Sequence, residues 1–290
     1  VRVGVRPETS NGARETPRQG QRRKRAELVN KRWGHGSVAV QGFAKDVVDV
    51  LGVRFHRVTM AEAVEKILFW TTDGGHHLVV TAGPEFVMQC QRQEALLRLV
   101  NSADLVTADG IGVVWAARRK GRPVPERVTG VELVPHVLTE AMRRHQALRV
   151  YLLGATAASL EACLTRLQAS YPTHAFAGHH GYFQHPDLER ILEDIRAFRP
   201  HLLLVGMGQP RQELFLRDVM GKLPPLVGMG VGGSIDVWGG TVRRAPEAFR
   251  RTNLEWLYRL ITEPRRFRRQ LALPRFAWRV ITSPTRQDGP

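Results

Sequence analysis

The run from Gly228 to Arg269 concentrates residue types that handle anions. Gly228, Gly230 and Gly233 follow an apolar stretch, so backbone N–H groups there can approach an anion closely. Asp236 comes next, followed by arginines and aromatic residues at helical spacings, among them Arg259, Arg266 and Arg269. The planar fork of arginine can neutralise a diphosphate bidentately. Glycines, a carboxylate and clustered arginines together suggest a site for a phosphorylated substrate. A second carboxylate, Asp109, stands in T-A-D-G-I-G, where Gly110 and Gly112 leave room for it to project into a crevice. Spacing alone also allows Asp109 to be only a helix cap, the more frequent use of a strand-end Asp. Arg127, in R-V-T-G-V-E-L, precedes a glycine and a helix start; alone it also reads as a surface ion pair. Gln212 and Glu213 stand in G-M-G-Q-P-R-Q-E, where Gly208 helps to shape a loop and Pro210 suits a first helical turn. Such a loop suits a phosphate or a nucleoside, and many other strand-to-helix loops look similar.

These residues need a scaffold, and hydrophobic periodicity supplies one. Segments 53–58, 77–83, 104–110, 148–155, 174–181, 201–208 and 225–232 read as strands. Segments 60–70, 84–100, 111–118, 131–145, 156–170, 187–198 and 210–221 read as helices. Short apolar strands alternating with amphipathic helices predict βαβ units and a sheet buried on both faces. The expected fold is therefore α/β, a doubly wound, mainly parallel Rossmann-like sheet over residues 43–242. Ligands of such sheets bind beyond the carboxyl ends of the strands. The polar residues expected there are Thr81, Asp109, Gln209, Gln212 and Asp236.

Several chemistries fit poorly. Gly228, Gly230 and Gly233 satisfy G-x-G-x-x-G, but after the last strand rather than the first, which speaks against a nicotinamide enzyme. There is no Walker lysine motif and no D-x-D pair for a divalent ion, and the eleven histidines lack ligand-like spacing. His179–His180 at a strand end reads as structural. Cys90 and Cys163 lie in apolar helical patterns, which suggests neither a disulfide framework nor a zinc site and fits a reducing compartment. No apolar run approaches the roughly 20 residues of a membrane span. The basic N-terminus lacks the apolar core of a secretory signal.

The net charge of +16 is unevenly spread. Residues 1–38 carry +7 and residues 243–290 carry +8, leaving +1 for the 204 residues between. Residues 1–38 read as a disordered basic tail, because their composition cannot offset ordering entropy. Residues 243–290 read as a basic amphipathic helical appendage, divided into short helices by Pro264 and Pro274. Its Phe267, Phe276 and Trp278 suggest insertion at a membrane interface, and a packed helix with a solvated basic face is the compatible alternative. A chain ending near Thr241 is expected to keep the α/β domain folded.

Taken together, these residues resemble the WecG/TagA/CpsF family of bacterial glycosyltransferases from about Val53 to Arg269. The resemblance rests on T-A-D-G-I-G (107–112), R-V-T-G-V-E-L (127–133), G-M-G-Q-P-R-Q-E (206–213), G-V-G-G-S-I-D (230–236), V-R-R-A-P (242–246), L-E-W-L-Y-R (254–259) and E-P-R-R-F-R-R (263–269). It implies metal-independent, inverting transfer of an N-acetylmannosamine-type sugar from a UDP-sugar, with no cofactor. The implied acceptor is a polyprenyl-diphosphate-linked sugar at the cytoplasmic membrane face, in teichoic acid or other surface-polysaccharide synthesis. By position, the resemblance makes Asp109 the general base, Thr81 its active-site partner and Arg127 a substrate-binding residue. Gln212 and Asp236, with Gly208 and Gly232 in the same motifs, fall in the donor site. Arg259, Arg266 and Arg269 fall in an appendage that closes over the site and docks on the membrane. A homo-oligomer is a further possibility. Where the family reads T-P-N-P, this chain has Thr81-Ala82-Gly83-Pro84, without the Asn side chain.

The residue types suit such a reaction. A carboxylate takes the acceptor hydroxyl proton while the sugar carbon leaves diphosphate, and arginines meet the charge that develops. A nucleic-acid-binding protein using its basic ends is the alternative from another class, with strongly salt-dependent binding. No groove-reading motif accompanies those ends, so nucleic acid is not the expected partner. A catalytically silent lipid-binding homologue is a third reading, against which Asp109 argues.

Overall fold

The computed structural model describes residues 46–242, Ala245, Pro246, Phe249 and 272–283. Strands β1 (Val47–Val50) and β2 (Val53–His56) pair antiparallel as a hairpin. Segment 53–58, expected as the first strand of the alternating series, thus stands outside the main sheet. His56 Nδ1 accepts a hydrogen bond from Val106 N (3.0 Å), and Arg54 N donates to Asn101 Oδ1 (2.9 Å). These bonds lay the hairpin over the margin of an edge strand that would otherwise offer unpaired backbone groups.

Six parallel strands form the main sheet: β3 (His77–Ala82), β4 (Leu105–Ala108), β5 (Arg149–Gly154), β6 (Ala175–His179), β7 (Leu202–Gly206) and β8 (Val227–Gly230). Their order is β4-β3-β8-β7-β5-β6. Helices α1 (Met60–Asp73), α5 (Gly130–Arg143), α6 (Ala157–Ser170) and α9 (Ser234–Gly239) cover one face. The other face carries α2 (Pro84–Cys90), α3 (Glu94–Asn101), α4 (Ile111–Arg119), α7 (Leu188–Phe198), α8 (Arg211–Val219) and α10 (Ala272–Thr282). Strand alternation builds the two layers. Leu78, Val80 and Ala82 of β3 join the second core, while Val79 and Thr81 turn to the first. This is the doubly wound α/β sheet that the periodicity predicted.

Two local differences have physical causes. The expected helix 84–100 breaks at residues 91–93, where Gln91 turns its side-chain amide onto Leu51 O of the hairpin and Gln93 adopts an extended backbone. Pro274, expected to separate short helices of the C-terminal segment, sits in the first turn of α10, where its missing N–H costs nothing. Phe276 was expected at a membrane interface. It is buried with Val280 against α2 and α4, both 2% exposed. Trp278 faces outward at 68% exposure. Among the described residues no helix is long and apolar enough to cross a membrane.

The chain leaves β5 through α6 towards β6 and leaves β7 through α8 towards β8, in opposite directions across the sheet. That divergence opens a crevice at the carboxyl ends of the strands.

Candidate active site

Two strand ends bring the acid and the hydroxyl together. Strand β4 ends at Ala108, and Asp109 follows before α4 begins. The Asp109 carboxylate Oδ2 accepts from Gly130 N (3.3 Å), the first residue of α5. Thr81, on neighbouring β3, reaches the same spot: a Cβ added to Gly130 would lie 3.3 Å from Thr81 Oγ1. The Thr81 hydroxyl has no hydrogen-bond partner among the described residues. A hydroxyl left uncommitted beside a carboxylate is available to a substrate.

Gly83 explains how the loop lies so close. A Cβ at this position would approach the Asp109 carbonyl oxygen to 2.7 Å, and that oxygen is backbone that cannot swing away. Any side chain at this position would therefore meet the Asp109 loop itself. Pro84 at the first turn of α2 then packs against Gly110 and Gly112.

Arg127 is half-buried beside this pair. Thr107 Oγ1 donates to Val128 O (2.9 Å) and Val128 N donates to Ala108 O (3.1 Å), so residues 127–129 are laid along the end of β4. Arg127 Nη2 stands 3.6 Å from Glu132 Oε2, which also accepts from Thr129 Oγ1 (2.8 Å).

The loops after β7 and β8 form the second half. Gln212 is 1% exposed, and its amide is spent inside the protein: Oε1 accepts from Gly232 N (3.0 Å) and Nε2 donates to Glu213 Oε1 (2.8 Å). Gln212 thus holds the Gly232 loop, and its side chain does not project into the crevice. Gly232 has φ 53°, a left-handed conformation natural to glycine, with nothing within 4 Å of an added Cβ. Gly208 is also left-handed, with equally open backbone. Asp236 is half-buried in the first turn of α9, which Trp238 Nε1 ties to Val131 O of α5 (3.1 Å).

Gln209 joins the halves. Its Nε2 donates to Thr81 O (2.9 Å) and to Glu213 Oε1 (3.3 Å). Glu213 is fully buried, and its Oε2 has no hydrogen-bond partner among the described residues. Burial pushes its carboxyl above the ordinary range, against the hydrogen bonds from Gln212 and Gln209 that favour the ionised form. One buried acid therefore gathers the ends of β3, β7 and β8. Sequence reasoning placed Glu213 in the G-M-G-Q-P-R-Q-E loop motif but gave it no role of its own, because linear sequence does not show which strand ends meet there. Only its spacing from Gln209 and Gln212 hinted at more.

Thr81 stands near the carboxyl end of β3, and Asp109, Arg127, Gly208, Gln212, Gly232 and Asp236 lie on loops or first helical turns at that edge of the sheet. Arg259, Arg266 and Arg269 lie outside the described residues, as does Phe267. The pattern of the glycosyl transferase WecG/TagA/CpsF family matches residues 48–289. The chain belongs to that family. Among its WecG/TagA/CpsF relatives are the N-acetylglucosaminyldiphosphoundecaprenol N-acetyl-beta-D-mannosaminyltransferases of Staphylococcus aureus strains NCTC 8325, COL and MRSA252. Each is 40% identical over 235 residues, covering 80% of this chain and 91% of the relative. Family membership makes glycosyl transfer the chemistry of this fold, and the strand-end crevice is the candidate place for it.

Proposed function

We propose that the protein transfers an N-acetylmannosamine-type sugar from a UDP-sugar to a polyprenyl-diphosphate-linked acceptor, with inversion and without a metal or cofactor. The observation that carries this reading is the pairing of Asp109 with the uncommitted Thr81 hydroxyl at Gly130, in a chain whose relatives bear the name of that transferase. Asp109 is the general base that takes the proton from the acceptor hydroxyl. Thr81 positions that acceptor, and Arg127 binds substrate beside them. The open backbone at Gly208 and Gly232 accepts the donor diphosphate, with Asp236 on the nucleoside side. Gln212 contributes by fixing the Gly232 loop. Arg259, Arg266 and Arg269 stabilise the leaving diphosphate from an appendage, residues 243–290, that closes on residues 43–242. The product enters teichoic acid or another cell-wall polysaccharide, and the enzyme works at the inner face of the cytoplasmic membrane.

The test is turnover of a UDP-sugar panel with a synthetic lipid-linked N-acetylglucosamine acceptor, followed by product mass and anomeric configuration. The expected product is one β-linked N-acetylmannosamine per acceptor, made by the wild-type chain and nearly lost in Asp109→Asn. Transfer of a different sugar would correct the donor, and retention of configuration would remove the single-displacement role of Asp109.

A further inference from the structure

The seam between α2 and α10 holds an open surface cavity of about 380 Å³, lined by Met88, Gln91, Arg92, Arg275, Trp278 and Arg279. Arg279 is anchored by a hydrogen bond from Nη1 to Gln91 Oε1. No acid pairs with Arg92 or Arg275 among the described residues. Three guanidinium groups around one cavity repel one another, and an anion placed between them would relieve that repulsion. Guanidinium geometry suits phosphate in particular.

Met88, Pro274 and Trp278 make the apolar part of the lining, and exposed apolar side chains stand around it. Trp278 is 68% exposed and Ile281, on the same outer side of α10, is 50% exposed. On α4, against which α10 packs, Ile111 and Trp115 stand one turn apart and are also exposed. Buried Phe276 fixes this arrangement near the site: its ring lies 3.8 Å from a Cβ placed on Gly112, three residues after Asp109. A phosphate site flanked by exposed tryptophan and isoleucine matches an amphiphile better than a free ion. The cavity volume suits a small polar headgroup.

We propose that the α2–α10 cavity binds the phosphate ester headgroup of an anionic membrane phospholipid. Arg92, Arg275 and Arg279 hold the phosphate, and Trp278 and Ile281 enter the acyl boundary beside it. Arg92 belongs to the turn after α2, so the site is composite: the α/β domain supplies one wall and α10 the other. A lipid seated there would hold the Asp109 crevice against the bilayer. The inference rests on the reading that the acceptor is membrane-borne.

Sedimentation of the full chain with vesicles of equal parts phosphatidylglycerol and phosphatidylcholine tests it, with phosphatidylcholine vesicles as reference. Wild type is expected to partition at least about tenfold more strongly to the anionic vesicles. Arg92→Glu is expected to lose about tenfold of that partition, and Arg190→Glu, the same charge change on α7 over β5, less than about threefold. Arg92→Gln covers the case in which the added acid disturbs folding, with a smaller loss still exceeding that of Arg190→Gln. Trp278→Ala is expected to abolish the part of the binding that survives high salt. Inorganic phosphate at matched ionic strength should leave vesicle binding unchanged. The proposal is overturned if the Arg92 variants lose no more than their Arg190 counterparts, if wild type binds both vesicles equally, or if inorganic phosphate releases the protein. Transfer by wild type to a short-chain, water-soluble acceptor without vesicles reads the proposed function separately, so the two can fail independently.

Discussion

Backbone contacts set the direction of the Asp109 carboxylate: Gly83 lets the loop close in, Pro84 packs under Gly110, and Gly130 N donates to the carboxylate. Asp109→Asn keeps an oxygen for Gly130 N but cannot take a proton. Turnover should fall by about 10²–10⁴-fold with thermal stability and UDP binding nearly unchanged; a rate within a few-fold of wild type would take the base role from Asp109. Gly83→Asn restores the residue type that the family carries, yet its Cβ meets the Asp109 carbonyl. It should lower turnover, by up to about 10²-fold for an ångström of displacement, and cost about 1–3 kcal/mol of stability. An unchanged or faster enzyme would show that the loop yields freely. Glu213 bears on stability through its proton. Because its folded pKa is raised above 4.5, the native state binds the proton more tightly than the unfolded chain, and stability falls as pH rises from 4.5 through the folded value. Glu213→Gln keeps the shape without that proton. Its melting temperature relative to wild type should rise between pH 4 and pH 8, and a flat difference would mean Glu213 is not held protonated.

At the scale of elements, α10 depends on a few apolar contacts for its place. Phe276 and Val280 bury its inner side against α2 and α4. Phe276→Ala should cost up to about 3–5 kcal/mol, the cost of an unfilled cavity, or less where release of α10 is the cheaper relaxation. Amide exchange separates the two: release predicts lost protection confined to 272–282, which the exposed Trp278→Ala should not produce. Protection in α10 equal to wild type would show that other contacts hold it. The hairpin illustrates how an element's partner escapes local reading. Alternation in 53–58 marks a strand, but not that His56 would serve as acceptor for Val106 N of β4. Burial in that contact lowers the imidazole to about 4.

For the whole molecule, packing attaches a stability cost to one expectation. A chain ending at Thr241 retains every strand of the main sheet, but it uncovers the faces of α2 and α4 that α10 protects. Losing the burial of Phe276 and Val280 should cost about 4 kcal/mol, or roughly 10 °C in melting temperature. A melting temperature equal to that of the full chain would show that α10 adds nothing to domain stability. Transfer should be lost as well, since Arg259, Arg266 and Arg269 go with the removed segment.

The architecture was legible because period-2 and period-3.6 patterns report burial locally, and strands such as 202–206 are apolar on both faces. Asp109, Thr81, Gly208 and Gly232 were legible because strand-end positions in a parallel sheet converge on one edge, whereas Gly228 and Gly230, read as part of an anion loop, lie within β8 and pack against α8 and the residues after it. Sequence also confined nearly all the net charge to the two ends. What required the tertiary structure was every relation between distant segments. Gln212 serves a loop twenty residues away, Glu213 is sealed among three strand ends, and Phe276 packs inward while Trp278 faces out. Linear sequence specifies which groups a side chain could bond, whereas burial and the choice of partner depend on which strand ends meet. The composite arginine cavity arises the same way, from a turn and a helix about 180 residues apart that only packing brings together.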